Sequence, residues 1–560
     1  MIFRNIYNNI LTASCQELFL ILKVEINRFL SLIFQHFAQF LGDKMTRLKK
    51  FLINGSILTL SSLLLRAIGV GFNVYISNTV GAEAMGLFTL ISTVYSFGIT
   101  LSTSGVGLAT TKLVSEAIAS QASNDPQSKR SVRSVMRAAI TYSLAFSVGA
   151  SILLYILAEP ISLSVLKDQR CIRSLEILSL TLAPISLSSV ICGYFSAVRK
   201  VYKNAISQIA EQLIRIFACV FLLSRFFAHD VENACVCIAL GATLSEISSF
   251  VIRSIDYLLY RRRQKYSVSQ ANEKKELGKV AFPIALSTYL RSALITIEHI
   301  LIPRGLENSG TRKDAALAAY GTVQSMVFPI IFFPSAILSS FAGLLVPELS
   351  RSYAKHDRKD IQRIVSNVFE IALIFGIGCA GIMTSFSYAI GKIIYPHSDA
   401  GAYIRMIAPL IPIMYLDTAV DAMLKGLNEQ VYSMGVNIID SLSSVILVSI
   451  LIPRYGIYGY IMTVYFTETL NATLSITRLL RITSIKPLIL RRIFFPLIAV
   501  VISTQISQYF KLSSLIPSLY TTPSAIIDIL GALAIYLILL FIFGALRIEK
   551  IKKAVNILKK

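Results

Sequence analysis

Two arginines stand inside long apolar stretches, each with a second polar residue seven positions further on. Arg66 is followed by Asn73, and Arg291 by Glu298 with His299 beside it. Seven residues is close to two turns of α-helix, so each pair shares one helix face. A guanidinium stays charged at physiological pH and offers a planar fork of N–H donors, which suits the oxygens of a phosphate or pyrophosphate. A charged side chain at the centre of a membrane helix costs about 2.5–3.5 kcal/mol on insertion scales, and a lipid-facing position gives nothing in return. Arg66, Asn73, Arg291 and Glu298 are therefore the candidate lining of a wet, cationic cavity. For the second pair the alternative is an Arg291–Glu298 ion pair that only joins helices.

Further polar residues recur at helical spacing. Gln208, Glu211, Gln212 and Arg215 form one stripe, and Asn437, Asp440, Ser441 and Ser444 another. Such stripes join membrane helices by hydrogen bonds, but Glu211 and Asp440 would also suit a Na⁺ or H⁺ site. Asp417 and Asp421, one turn apart, are two more candidates for a coupling ion. Glu246 and Arg253 read as a structural pair. There is no Walker A motif, no Ser–His–Asp arrangement and no HExxH, so enzyme activity is not expected, nor any cofactor beyond a coupling Na⁺ or H⁺. Most of the seven cysteines lie in apolar stretches. Cys235-Val-Cys237 lacks a second ligand pair at zinc spacing, so they read as small core hydrophobes.

The elements that must hold these residues follow from composition. The chain has 560 residues, of which 54% are hydrophobic and 15% charged. Soluble domains are nearer a quarter charged. About 14 continuous apolar spans can be counted, near 52–77, 86–111, 134–157, 174–198, 204–226, 233–259, 280–302, 315–346, 364–388, 403–425, 431–452, 456–477, 489–509 and 523–546. Their lengths suit membrane helices, and none shows the alternation of a barrel strand. The expected fold is an all-α polytopic membrane protein. Net charge is +23, but the basic residues cluster in alternate loops. That is the pattern of cytoplasmic loops rather than of a nucleic-acid partner, and it places both termini on the cytoplasmic side of the cell membrane. Residues 1–44 mix apolar runs with charges, and Met45-Thr-Arg-Leu-Lys-Lys50 precedes the first clean span. The 1–44 stretch thus reads as an upstream extension or an interfacial helix.

An internal repeat is visible across the polar break Arg261–Lys279. Leu65-Arg66 matches Leu290-Arg291, Pro184-Ile185 matches Pro412-Ile413, and Gln208 to Glu211 matches Asn437 to Asp440, at an offset of about 225–229 residues. Six spans return the chain to the same side, so the repeat implies two pseudo-symmetric six-helix lobes in parallel, as in transporters with a central site. The expected division is a first lobe over 45–262, a basic connection over 263–279, a second lobe over 280–486, and two extra helices with a basic tail over 487–560. Gly98, Ser102 to Gly105 and Gly107 in the second span, and Gly321, Pro329, Pro334 and Gly343 in the eighth, suit close approach or bending.

The runs Ser61 to Gly69, Asn78 to Leu87, Leu101 to Gly105 with Ser115-Glu116, Ala205 to Arg215 and Leu344 to Ser350 resemble the stage V sporulation protein B branch of the multidrug/oligosaccharidyl-lipid/polysaccharide (MOP) exporter superfamily. The resemblance covers roughly 48–545. It implies a two-lobed flippase that carries a polyprenyl-pyrophosphate-linked sugar, such as a peptidoglycan precursor, from the inner to the outer leaflet. It supports cavity roles for Arg66 and Arg291, and cell-wall synthesis enzymes as partners. Ser196-Ala197-Val198 departs from the expected glycine-containing turn, present as Lys425-Gly426-Leu427, and leaves the loop geometry there open. A cation-coupled multidrug antiporter on the same scaffold, or a membrane scaffold for cell-wall enzymes that transports nothing, would share much of this pattern.

Overall fold

The computed structural model describes residues 47–122, 131–226, 230–261, 273–485, 489–510 and 524–544. The 1–44 stretch, most of the 263–279 connection and the basic tail lie outside them. The chain divides into two units, Met1–Ser56 with Asn556–Lys560, and Ile57–Val555. In the first unit the described residues, 47–56, are helical. Everything below concerns the second.

The described residues are almost all helical, joined by short turns and breaks, without a strand among them. The helices are α1 (Arg47–Thr103), α2 (Val106–Ala122), α3 (Val132–Pro160), α4 (Ile172–Ser179), α5 (Leu182–Ala197), α6 (Val201–Phe226) and α7 (Val231–Arg261), then α8 (Glu273–Asn308), α9 (Lys313–Gly321), α10 (Phe328–Phe332), α11 (Ser335–Ala354), α12 (Arg358–Ser385) and α13 (Ser387–Ile394). They continue with α14 (Ala400–Ile407), α15 (Ile411–Gly426), α16 (Gln430–Tyr455), α17 (Ile457–Thr483), α18 (Ile489–Phe510) and α19 (Ser524–Ile542).

Each of the expected spans falls on one helix or on a broken run of helices. By length and apolarity ten helices among the described residues can cross a membrane, or eleven if the pair Gln169–Ser179 and Leu182–Ala197, bent by 43°, is one span. The count is lower than fourteen for local reasons. Residues 64–118 pass as a single 55-residue stretch, although Gly81 interrupts α1 with φ 85° and ψ 170°. The threonine-rich α17, which carries Glu468, Arg478 and Arg481, falls short, and Ile493–Tyr509 is a shorter apolar helix.

The repeat returns as a repeat of helix breaks. The second span breaks at Ser104 and Gly105, both with positive φ, and the eighth at Phe333 and Pro334. The fourth span breaks at Leu180 and Thr181, and the tenth at the 3₁₀ turn Ala408–Leu410. The turn that lacks a glycine takes the same shape as its counterpart. Lys200 N donates to Phe195 O, and Glu429 N to Leu424 O, each at 2.9 Å. The left-handed residue is Arg199 in one turn and Asn428 in the other, with φ 58° and 65°. The turn therefore does not need Gly426 for its dihedrals.

Helices α2 to α7 pack chiefly on one another, as do α8 and those after it, with α18 and α19 against α12. Helix α1 reaches across to α9. A Cβ added at Gly86 would lie 2.0 Å from Leu317 O, and one at Gly321 would lie 2.3 Å from Ala82 O. Two glycines facing each other let these backbones touch.

Candidate polar sites within the bundle

The eighth span is broken by its own prolines. Pro329 has no N–H to give to the carbonyl four residues back, at Ser325. The run Thr322–Val327 is a π-turn. Pro334 forces a second break, where Ala336 N bonds Phe333 O, so Phe332 O also lacks its helical donor. In hydrocarbon a bare carbonyl costs several kcal/mol. Ser335 Oγ covers Phe332 O from within the same segment, donating at 2.7 Å, and α1 adds further donors. Asn73 Nδ2 donates to Ser325 O, and Arg66 Nη2 donates to Phe332 O at 3.0 Å and lies 3.4 Å from Ser335 Oγ. Thr89 Oγ1 and Ser325 Oγ add a 2.5 Å contact. The two α1 donors are seven residues apart on one helix face, and so are the two acceptors.

Arg291 and Glu298 do not form the pair that their spacing allowed. Glu298 instead accepts from Ser444 Oγ of α16 at 2.6 Å. Arg291 is exposed on α8, and Asp440 of α16 lies within its electrostatic reach. Arg66 with Asn73 therefore serves a seam between α1 and the eighth span, whereas Arg291 with Glu298 faces α16.

Four acids gather in the second half of the chain. Glu298 (α8), Asp417 (α15), Asp440 (α16) and Glu468 (α17) act on one another electrostatically. Asn471 lies close enough to Asp440 to act on it. One oxygen of Asp417 and one of Asp440 are buried without a hydrogen-bond partner. Asp421 lies apart in its bonding, held by Lys425 Nζ at 2.5 Å and by the Ser433 hydroxyl. Among the described residues no three His, Cys, Asp or Glu side chains form a group that could hold a metal ion, so a bound cation would also need hydroxyl or amide oxygens. Glu468 was not singled out from sequence. Its signal, a carboxylate inside an apolar span, was present but lay among threonines.

Glu211 has a different setting. Its Oε1 is 3.3 Å from Arg215 and its Oε2 is 3.3 Å from Arg253, with Ser249 Oγ at 2.8 Å. Arg215 also holds Glu246 at 2.9 Å. The expected Glu246–Arg253 pair is thus exchanged for two bridges between the tightly packed α6 and α7. Partners seven residues apart along one helix are separated by about 10.5 Å of rise, and the neighbouring helix is closer. Two carboxylates and two guanidiniums balance. The cysteines Cys171, Cys219 and Cys235 are buried.

The broken, paired helices, with polar groups at the breaks and apolar flanks, define a polytopic membrane transporter. The comparisons agree. Residues 51–353 match the family described as polysaccharide biosynthesis protein, and residues 309–450 match MatE. The chain belongs to the polysaccharide biosynthesis protein family, within the MOP superfamily of transporters and flippases. It is 26% identical over 526 residues to stage V sporulation protein B of Bacillus subtilis (strain 168), covering 90% of this chain and 97% of that one. It is 24% identical over 420 residues to lipid II flippase MurJ of the same organism, covering 69% and 74%. Among solved structures, the inward closed conformation of lipid II flippase MurJ has a TM-score of 0.66 at 14% identity, covering 87% of this chain and 98% of that one. An inward-facing multidrug resistance MATE family transporter has a TM-score of 0.57 at 14% identity, covering 77% and 99%. These two likenesses concern the fold.

Proposed function

We propose that the protein moves a polyprenyl-pyrophosphate-linked sugar, a peptidoglycan precursor or another polysaccharide unit, from the inner to the outer leaflet by alternating access, with both termini cytoplasmic. The observation that carries this reading is Arg291, an exposed guanidinium in mid-span. Exposure to lipid there would be costly, so it faces a wet space. Arg66 supports it, because its hydrogen bonds go to neutral oxygens and a guanidinium has five N–H donors. The head group must cross about 30 Å of hydrocarbon, and fixed cations along a wet path lower that barrier while the tail stays in lipid. An inside-negative potential favours outward movement of the anion by about 2.3 kcal/mol per charge per 100 mV.

The coupling ion in this reading is Na⁺ or H⁺ at the acid group. Asp417 and Asp440, each with an oxygen lacking a partner, suit that role together with Glu298 and Glu468. Glu211 and Asp421 already have cationic partners. The same acid group favours a second reading, a cation-coupled drug antiporter. The deciding experiment uses proteoliposomes that contain biotinylated undecaprenyl-pyrophosphate-linked sugar. Wild type should bring the label to the opposite leaflet, and Arg66→Ala/Arg291→Ala should not. Retained translocation in the double variant sinks the cavity assignment. No translocation by wild type, with efflux of cationic dyes, moves the protein to the antiporter reading.

A further inference from the structure

At one end of the bundle the two halves are tied together by ions. The π-turn Ile161–Leu166 ends α3, and Lys167 reverses the chain with φ 55°, which turns several carbonyls outward. Arg304 of α8 donates to Ser164 O at 3.1 Å and to Val165 O. Lys313, the first residue of α9, donates to Lys167 O at 2.8 Å and sits 3.1 Å from Asp168 Oδ2. Asp168 is also held by Arg170, through Nη2 at 2.8 Å, Nε at 3.0 Å and the backbone N at 3.0 Å. Arg170 in turn reaches Glu83 of α1 at 2.8 Å. Asp168 is thus the shared acceptor of one cation from each half of the chain.

Its two partners differ in what they leave behind. Asp168 is only 4% exposed, whereas Lys313 is 40% exposed. If Lys313 withdraws, it enters water, and Asp168 keeps Arg170. No bare charge is left buried, which is what makes breaking most buried ion pairs costly. Burial alone would raise the Asp168 carboxyl, but the hydrogen bonds and charges of Arg170 and Lys313 outweigh it and hold the group below the usual carboxylate range. It is therefore an anion throughout the neutral range.

We propose that Lys313 is the releasable half of an ionic latch on Asp168, which biases the bundle toward the state closed at this end. The latch rests on the transporter reading above, since alternating access requires this end to part. It lies at the end where Gly86 and Gly321 let α1 and α9 touch, so loss of the latch and separation of that seam belong to one movement.

The test is a distance measurement by double electron–electron resonance in lipid, without substrate. Labels go on Leu163→Cys and Ala315→Cys, both exposed, in a chain whose seven native cysteines are replaced by alanine. The parent should show mainly the short separation. Lys313→Glu should raise the separated population roughly five- to thirty-fold, and Lys313→Arg should stay near the parent. Lys313 is half exposed, so these variants keep the core intact, and Asp168→Asn provides a second route to the same shift. An unchanged distribution in Lys313→Glu overturns the latch, as does a Lys313→Arg shift of equal size. Normal translocation with an unchanged distribution sinks the latch and keeps the transport reading. A clear shift without translocation of any lipid-linked sugar does the reverse.

Discussion

Replacing Gly86 by alanine tests how closely the two halves meet. The added methyl would sit 2.0 Å from Leu317 O, 2.8 Å from Leu317 C and 3.2 Å from Gly321 N. Two of these neighbours are backbone atoms of one peptide, so no side chain can swing away. Ordinary contact needs at least 3.4 Å, and α1 and α9 must part by more than 1 Å. Overpacking of this kind costs about 1–3 kcal/mol. Charged only to the closed state, that shifts the closed-to-separated ratio by about five- to 150-fold, at tenfold per 1.4 kcal/mol. Labels at Thr79→Cys and Ala315→Cys, read by the same resonance method, should report the change as a new, longer separation. Translocation should fall because the closed state is rarely reached. A Gly86→Ala protein with the parent's distance distribution and rate would refute the reasoning, since it would mean that the seam has slack to absorb a methyl.

Other perturbations give distinct signatures. Glu211→Gln removes the carboxylate shared by Arg215 and Arg253 and leaves buried positive charge. It should destabilise the protein by about 3–5 kcal/mol, and Glu211→Gln/Arg253→Met should recover part of that loss in a thermal denaturation series. Additive losses would show that the bridge is not the cause. Asp440→Asn should abolish any stimulation of transport by an imposed Na⁺ or pH gradient while leaving gradient-free exchange measurable. Persistence of the stimulation would exclude Asp440 from coupling.

Much of the fold was legible because continuous apolar runs have few alternatives in a bilayer. Even the helix breaks had signals, in Ser104-Gly105 and in Pro329 and Pro334. What the residues did not declare was partnership between distant helices. Leu65-Arg66 and Leu290-Arg291 are equivalent in the repeat, yet Arg66 bonds a backbone carbonyl at a proline break while Arg291 faces Asp440. The difference arises in the partner, since the second span breaks at Ser104-Gly105 where the eighth breaks beside Pro334. Glu246 and Arg253 failed as a pair for a related reason, because periodicity reads along one helix and Arg215 stands on the next. Glu468 joined the acid group only when α8, α15, α16 and α17 were seen together.

The hydrogen bonds from α1 to the eighth span set an order on biosynthesis. Arg66 and Asn73 leave the ribosome 266 and 252 residues ahead of the carbonyls they bond. Throughout that interval the guanidinium must be kept wet or borrowed by a temporary partner. The second half made alone has the opposite problem at Ser325 O, whose side-chain donor Asn73 lies in the first half, whereas Phe332 O keeps the Ser335 hydroxyl. The halves of this bundle are therefore not independent folding modules. Expressed as separate fragments, the second should depend on the first being already in the membrane.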